Sequence, residues 1–211
     1  MPRVACQTVA VMCVALASVP LQGQSSRLAT TDETLLTTSV TLRASLDRIA
    51  SGSALWREAV DTVRRNGRRA LVLTPEQVVV AKASNHNETT SFELRQLAEV
   101  SPVVRDGLRV DAVIVVVNLP LIEEMHQRNR SLPIESDADL DRILIHEVYG
   151  HALPYLLAGD LSGRCADPEP KQRALDSCSI RRENDVRAEL GLGRRLDYGL
   201  SGLLLSRPGW R

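Results

Sequence analysis

Apolar positions between Ser53 and Val63 recur in a helical rhythm. Leu55, Trp56, Ala59, Val60 and Val63 fall at i, i+1, i+4, i+5 and i+8, which describes one face of an amphipathic helix. Asn66-Gly67 stops it. The rhythm then changes. RALVLT (Arg69–Thr74) reads as a strand ended by Pro75, EQVVVAKA (Glu76–Ala83) fits helix or strand equally, and SNHNETTS (Ser84–Ser91) is a loop. RVDAVIVVVN (Arg109–Asn118) is a β-branched run bounded by Gly107 and Pro120, the strongest strand of the chain. LPIESDAD is a loop that offers Ser136 or Asp137 as a helix N-cap.

A long helix is predicted from about Ala138 through His151. At 100° per residue, Leu140, Ile143, Leu144, Ile145, Val148 and Leu153 surround its axis, so it is a buried helix. His146, Glu147 and His151 interrupt that apolar surface. Burying ionisable groups is costly unless they are paired or bound to metal, which makes these three the first candidates for chemistry. A second helix is predicted over Ser179–Leu190. Ile180, Val186 and Leu190 lie within about 60° of Glu183, so Glu183 sits in the middle of the buried face while Asp185 and Glu189 face solvent.

Composition narrows the choice. The 211 residues suit one domain, and 26 basic residues balance 26 acidic ones, which gives no reason to expect a nucleic-acid partner. RRNGRR (Arg64–Arg69) reads as a helix end and turn, with cations at the helix C-terminus. Aromatic residues make up 3%, so the core is aliphatic and a carbohydrate platform is disfavoured. The N-terminal stretch carries one cation, Arg3, and an apolar run centred on Val9–Val19, too short to span a bilayer and suited to a signal peptide. The expected organisation is a signal peptide over 1–23, a flexible segment over 24–33 and a single domain over 34–211. This implies export to a periplasm or the exterior without lasting membrane insertion; an uncleaved N-terminal anchor is the alternative. Cys6 and Cys13 leave with the signal, and Cys165 and Cys178 most simply form one disulfide, the alternatives being two free thiols or metal ligation, which no Cys-x-x-Cys spacing supports.

The spacing of the histidines poses the central question. In H-E-x-x-H two histidines lie about 40° apart on a helix and reach one ion. In HEVYGH (His146–His151) an ideal α-helix sets them about 140° apart. A shared ion therefore requires a distorted helix, and a π-bulge would restore a common face. Gly150 lowers the cost of unusual backbone angles. Pro154 lacks the N–H that would bond the Gly150 carbonyl and should bend or break the helix there.

HEVYGH resembles the HELLGH hexapeptide of dipeptidyl peptidase III, a zinc peptidase family. RENDVRAELGLGRRLDYG is similar to the Glu-Asn-x-x-Arg-x-x-Leu-Gly-Leu segment of the NleD-like effector metallopeptidases, here Glu183, Asn184, Arg187, Leu190, Gly191 and Leu192. The resemblances imply an α+β, zincin-like fold, with a small mixed sheet packed on a buried active-site helix and a second, ligand-bearing helix. They imply one Zn2+ ion, a peptide or protein substrate, and substrate pairing with an edge strand, for which Val110–Val117 is the candidate. A catalytic zinc takes three protein ligands and an open position. His146, His151 and Glu183 are the expected set, with Asp160 as an alternative third ligand, and Glu147 is the expected general base. Arg187 instead offers Glu183 an i,i+4 ion pair. Asn184, Arg187 and Tyr198 are candidate supporting or substrate groups, and Tyr149, Tyr155 or Tyr198 a candidate oxyanion partner. The competing expectations are a non-catalytic exported domain with a structural metal, and a metal-free binding module braced by its disulfide.

Overall fold

The computed structural model of the protein describes residues 34–78, 94, 96–129, 140–165, 175 and 177–196. The expected signal peptide, the 24–33 segment, the Ser84–Ser91 loop, the Ser136 and Asp137 caps and Tyr198 lie outside the described residues.

The described chain is a mixed α and β structure. β1 (Leu35–Leu36) leads into α1 (Val40–Gly52) and α2 (Ala54–Arg65), followed by β2 (Arg69–Leu73), β3 (Ala98–Arg105) and β4 (Arg109–Val117). α3 (Leu119–Asn129) follows the sheet. The site helix comes next, as α4 (Leu140–Leu144), a π-helical segment (Ile145–Ala152) and α5 (Leu153–Ala158) in unbroken succession. α6 (Cys178–Glu189) follows. Among the described residues no helix is long and apolar enough to cross a membrane.

Local chemistry accounts for the helix boundaries. Ser53 caps α2 by accepting from the Trp56 amide, Asn66 ends it, and Arg64 and Arg65 occupy its last turn. Ser177 caps α6 through the Ile180 amide. Gly159, with φ of 81°, closes α5 in the left-handed conformation. The run RRNGRR does more than end a helix. Arg68 reaches across to donate to the carbonyls of Leu156 and Leu157 at 2.6 and 3.1 Å, fastening the C-terminal end of the site helix beside β2.

The sheet has the order β1-β2-β4-β3, parallel between β1, β2 and β4 and antiparallel between β3 and β4. Leu71 of β2 and Ser101 of β3 both pair with Ile114. β4 is therefore an inner strand, which corrects its expected role as the edge for a peptide. Among the described strands, β1 and β3 are the outer ones. Pro102 disguised β3 in the sequence, since proline within a strand is confined to edges.

One face of the sheet carries the main core. Val113, Val115 and Val117 pack there with Leu42, Ile49, Trp56, Val63, Leu144, Ile145, Val148, Leu153 and Leu156, all buried. Val116 packs with Val78 and Leu94 in a smaller cluster. The site helix lies inside the main core, as its all-round apolar pattern requires.

Candidate metal centre

Widening of the helix resolves the spacing between the histidines. The π segment spans eight residues, Ile145–Ala152, and the Leu153 amide still donates to the Val148 carbonyl, five residues back. One extra residue per turn brings positions five apart onto a common face. The His146 and His151 rings accordingly meet at a centroid distance of 4.8 Å and an interplanar angle of 87°, with their Nε2 atoms 3.2 Å apart.

The site helix carries the inserted residue without interruption. It does not break at Pro154 but runs on to Ala158. In the i→i−5 pattern the missing Pro154 N–H would have served the Tyr149 carbonyl. Arg182 of α6 takes its place, donating from Nε at 2.9 Å, so the Tyr149 carbonyl keeps a donor. Gly150 is not in a left-handed conformation. Its use is close approach: a Cβ there would lie 3.3 Å from the Ser179 carbonyl, so glycine lets α6 pack directly on the π segment.

Each histidine is held from behind. His151 Nδ1 lies 2.6 Å from the main-chain oxygen of Cys165. A carbonyl only accepts, so Nδ1 carries the proton. His146 Nδ1 lies 2.9 Å from Glu183 Oε2. Burial pushes the Glu183 carboxyl up, but the His146 hydrogen bond and the charges of Arg195, His146 and Arg187 outweigh it and hold the group lowered to about 2. An ionised carboxylate accepts, so His146 also carries its proton on Nδ1. When neither ring carries a further proton, the pair so anchored directs two Nε2 lone pairs at each other across 3.2 Å. Such an arrangement calls for a cation between them, either a proton or a metal.

The donor pair fits zinc. Two nitrogens each about 2.0–2.1 Å from one tetrahedral ion stand roughly 3.3 Å apart, close to the separation present. A neutral Nε2 donor whose Nδ1–H bonds a carboxylate or carbonyl is the usual form of a metal-bound imidazole.

Glu183 is buried at 1% exposure, at the centre of the inner face of α6 as the periodicity predicts. It approaches His146 on the ring nitrogen turned away from His151, and both its oxygens are engaged: Oε1 by Arg187 at 2.8 Å, Oε2 by His146 and by Arg195 at 3.0 Å. The expected i,i+4 pair with Arg187 is therefore present beside the histidine contact. Among the described residues no group of three His, Cys, Asp or Glu is gathered for a metal. Asp160 caps the 3-10 turn Leu161–Gly163 through the Ser162 amide and hydroxyl. Glu147 follows His146 on the π segment and is partly exposed.

The segment after α6 explains the spacing of Asn184, Arg187 and the glycines. Asn184 brackets the main chain of Arg195, donating to its carbonyl at 2.9 Å and accepting from its amide at 2.7 Å. Arg187 Nε donates to the Gly193 carbonyl at 2.7 Å. Together they fold the stretch back along α6, so that the Arg195 guanidinium returns to Glu183. Asn184 and Arg187 thus serve the centre through Glu183. Arg195 was missed in the sequence, because the loop that returns it has no periodicity to read.

Tyr149 is buried, stacked on Trp56 with ring centroids 6.1 Å apart, and covered by the Arg182 guanidinium at 4.6 Å. These contacts give it a packing role. Tyr155 is partly buried, and burial pushes its phenol up against the opposing Arg164 charge.

Cys165 and Cys178 form a disulfide. No protein-family model, curated protein or solved structure matches this chain.

Proposed function

We propose that the protein is an exported zinc metallopeptidase of zincin-like fold. The observation that carries this reading is the opposed pair of Nε2 atoms, each ring fixed through Nδ1, on either side of one point.

His146 and His151 would hold the ion. Glu183, kept ionised by Arg187 and Arg195, would hold His146 in the binding tautomer, as carboxylates behind metal-bound histidines do. A place for Glu183 in the coordination shell itself, as the resemblances imply, requires it to exchange its bond to Nδ1. When bound, the ion would supply Lewis acidity that polarises a carbonyl and brings a water's pKa to about 7.

Glu147 is the proposed general base. It is adjacent to a ligand, partly exposed and a carboxylate, suited to take a proton from water and return it to the leaving amine. An extended peptide would add to the outer edge of β3, the antiparallel edge strand that packs against the π segment.

Metal analysis of the purified full chain tests the reading. It requires one zinc per chain in the wild type, loss of zinc in His151→Ala, and peptide hydrolysis abolished by chelator. The metal-free competitor places a shared proton between the rings. A chain with no zinc, and no affinity for added zinc, would establish that competitor instead. Zinc without chelator-sensitive hydrolysis would leave a structural metal site.

A further inference from the structure

One covalent bond joins the supports of the two histidines. His151 is aimed by the main-chain carbonyl of Cys165. Cys165 itself stands outside any helix or strand. Cys165 is bonded instead to Cys178, the first residue of α6. The same helix carries Glu183, which aims His146. α6 is seated directly on the π segment, with the Ser179 main chain against Gly150. The Cys165 side chain is buried, at 3% exposure, so the bond ties two pieces of the centre together from inside.

We propose that Cys165 is a positioning residue for His151, and that the Cys165–Cys178 disulfide makes the metal affinity of the histidine pair depend on thiol oxidation. The inference rests on the metal reading above. With the bond intact, the carbonyl and the carboxylate stand at a fixed separation, and the two Nε2 atoms converge. Reduction by a thiol such as glutathione takes two electrons and two protons from two glutathione molecules. It leaves two protein thiols and one glutathione disulfide, and it frees the Cys165 carbonyl from α6. His151 then loses its fixed tautomer and orientation, and losses of this kind weaken metal binding by about 10–100-fold. Binding linkage is reciprocal, so a bound ion should make the disulfide harder to reduce by the same factor.

The test uses the full oxidised chain titrated with zinc against a competing chelator, beside a Cys165→Ser/Cys178→Ser variant, which has no thiolate at these positions to offer the metal. The expected result is one zinc per oxidised chain, an affinity about 10–100-fold lower in the variant, and unchanged helical circular dichroism. In a glutathione buffer the zinc-loaded wild type should be reduced correspondingly less than the zinc-free chain. Equal affinities, or equal reduction with and without zinc, would overturn the inference while leaving the metal centre standing. Loss of the helical signal in the variant would overturn it too, since the bond would then brace the whole fold rather than aim one ligand. Absence of zinc binding by the oxidised wild type would remove the metal centre and the inference with it.

Discussion

Arg195 Nη1 lies 3.0 Å from Glu183 Oε2, the same oxygen that receives the His146 Nδ1 proton at 2.9 Å. Arg187 holds the other oxygen at 2.8 Å, and its side chain and that of Glu183 are each only 1% exposed. A carboxylate so placed is costly to bury alone and favourable only with its partners. Its two cations come from one helix and from the loop that helix folds back. The support of His146 is therefore assembled from a short stretch, Glu183–Arg195, laid against the π segment.

Glu183→Gln should separate a supporting carboxylate from a metal ligand. The amide still accepts one hydrogen bond from His146 but no longer neutralises Arg187 and Arg195. Removing one partner of a buried ion pair costs about 3–5 kcal/mol, which urea unfolding of the chelator-treated chain will measure. Zinc affinity should fall by about 10–100-fold if Glu183 acts from behind His146. A variant that binds no zinc at all would place the carboxylate in the coordination shell.

Acid should destabilise the chain through the same group. Glu183 is lowered from an ordinary value of 4.5 to about 2 in the folded state. A depressed folded pKa contributes stability that is fully present above the unfolded value and is lost as pH falls through the folded one. The stability of the chelator-treated wild type should therefore decline between about pH 4.5 and pH 2. The decline should be shallower in Glu183→Gln, which lacks the titrating group. Identical acid limbs in the two chains, followed by circular dichroism, would contradict this account.

Glu147→Gln should leave zinc stoichiometry at one per chain and lower the turnover of a peptide substrate by at least about 100-fold, the usual contribution of a general base. Glu147 sits on the π segment beside His146 but does not hold either ring by the contacts that fix Nδ1. Zinc content and turnover should thus part company in this variant. Full activity in the presence of bound zinc would dismiss Glu147 as the base.

The helices of the site were legible because their signals are local. The apolar rhythm of Ser53–Val63, the stop at Asn66-Gly67 and the all-round apolar surface of the site helix each describe what the structure contains. Glu183 was found on the inner face of its helix by period alone. The five-residue spacing of the histidines called for one inserted residue, and a π segment provides it. What was illegible was carried by the backbone or by distant pairings. The Cys165 carbonyl leaves no side-chain signature. Arg195 returns through a loop, and β3 contains a proline that reads as a break. The inner position of β4 depends on a partner that its own residues do not identify. The approach of Glu183 to Nδ1, rather than to the side shared with His151, is set by how α6 docks, through Gly150 and Ser179.

Arg182 should prove as important to the π segment as the residues within it. Its Nε satisfies the Tyr149 carbonyl at 2.9 Å, the acceptor that Pro154 cannot serve in an i→i−5 ladder, while its guanidinium covers the Tyr149 ring. Burial lowers the Arg182 pKa against the opposing influence of Tyr149 and Asp185, and an arginine guanidinium remains a donor. Arg182→Leu keeps much of the apolar stem but leaves the Tyr149 carbonyl without that donor, at a cost of about 1–3 kcal/mol. Pro154→Ala in the same background restores an N–H within the helix at the position that carbonyl would use. The double variant should therefore recover part of the loss, read as the coupling in a double-mutant cycle of unfolding free energies. Strict additivity of the two changes would show that Arg182 and Pro154 do not share the Tyr149 carbonyl, and that the widened turn is held open by other means.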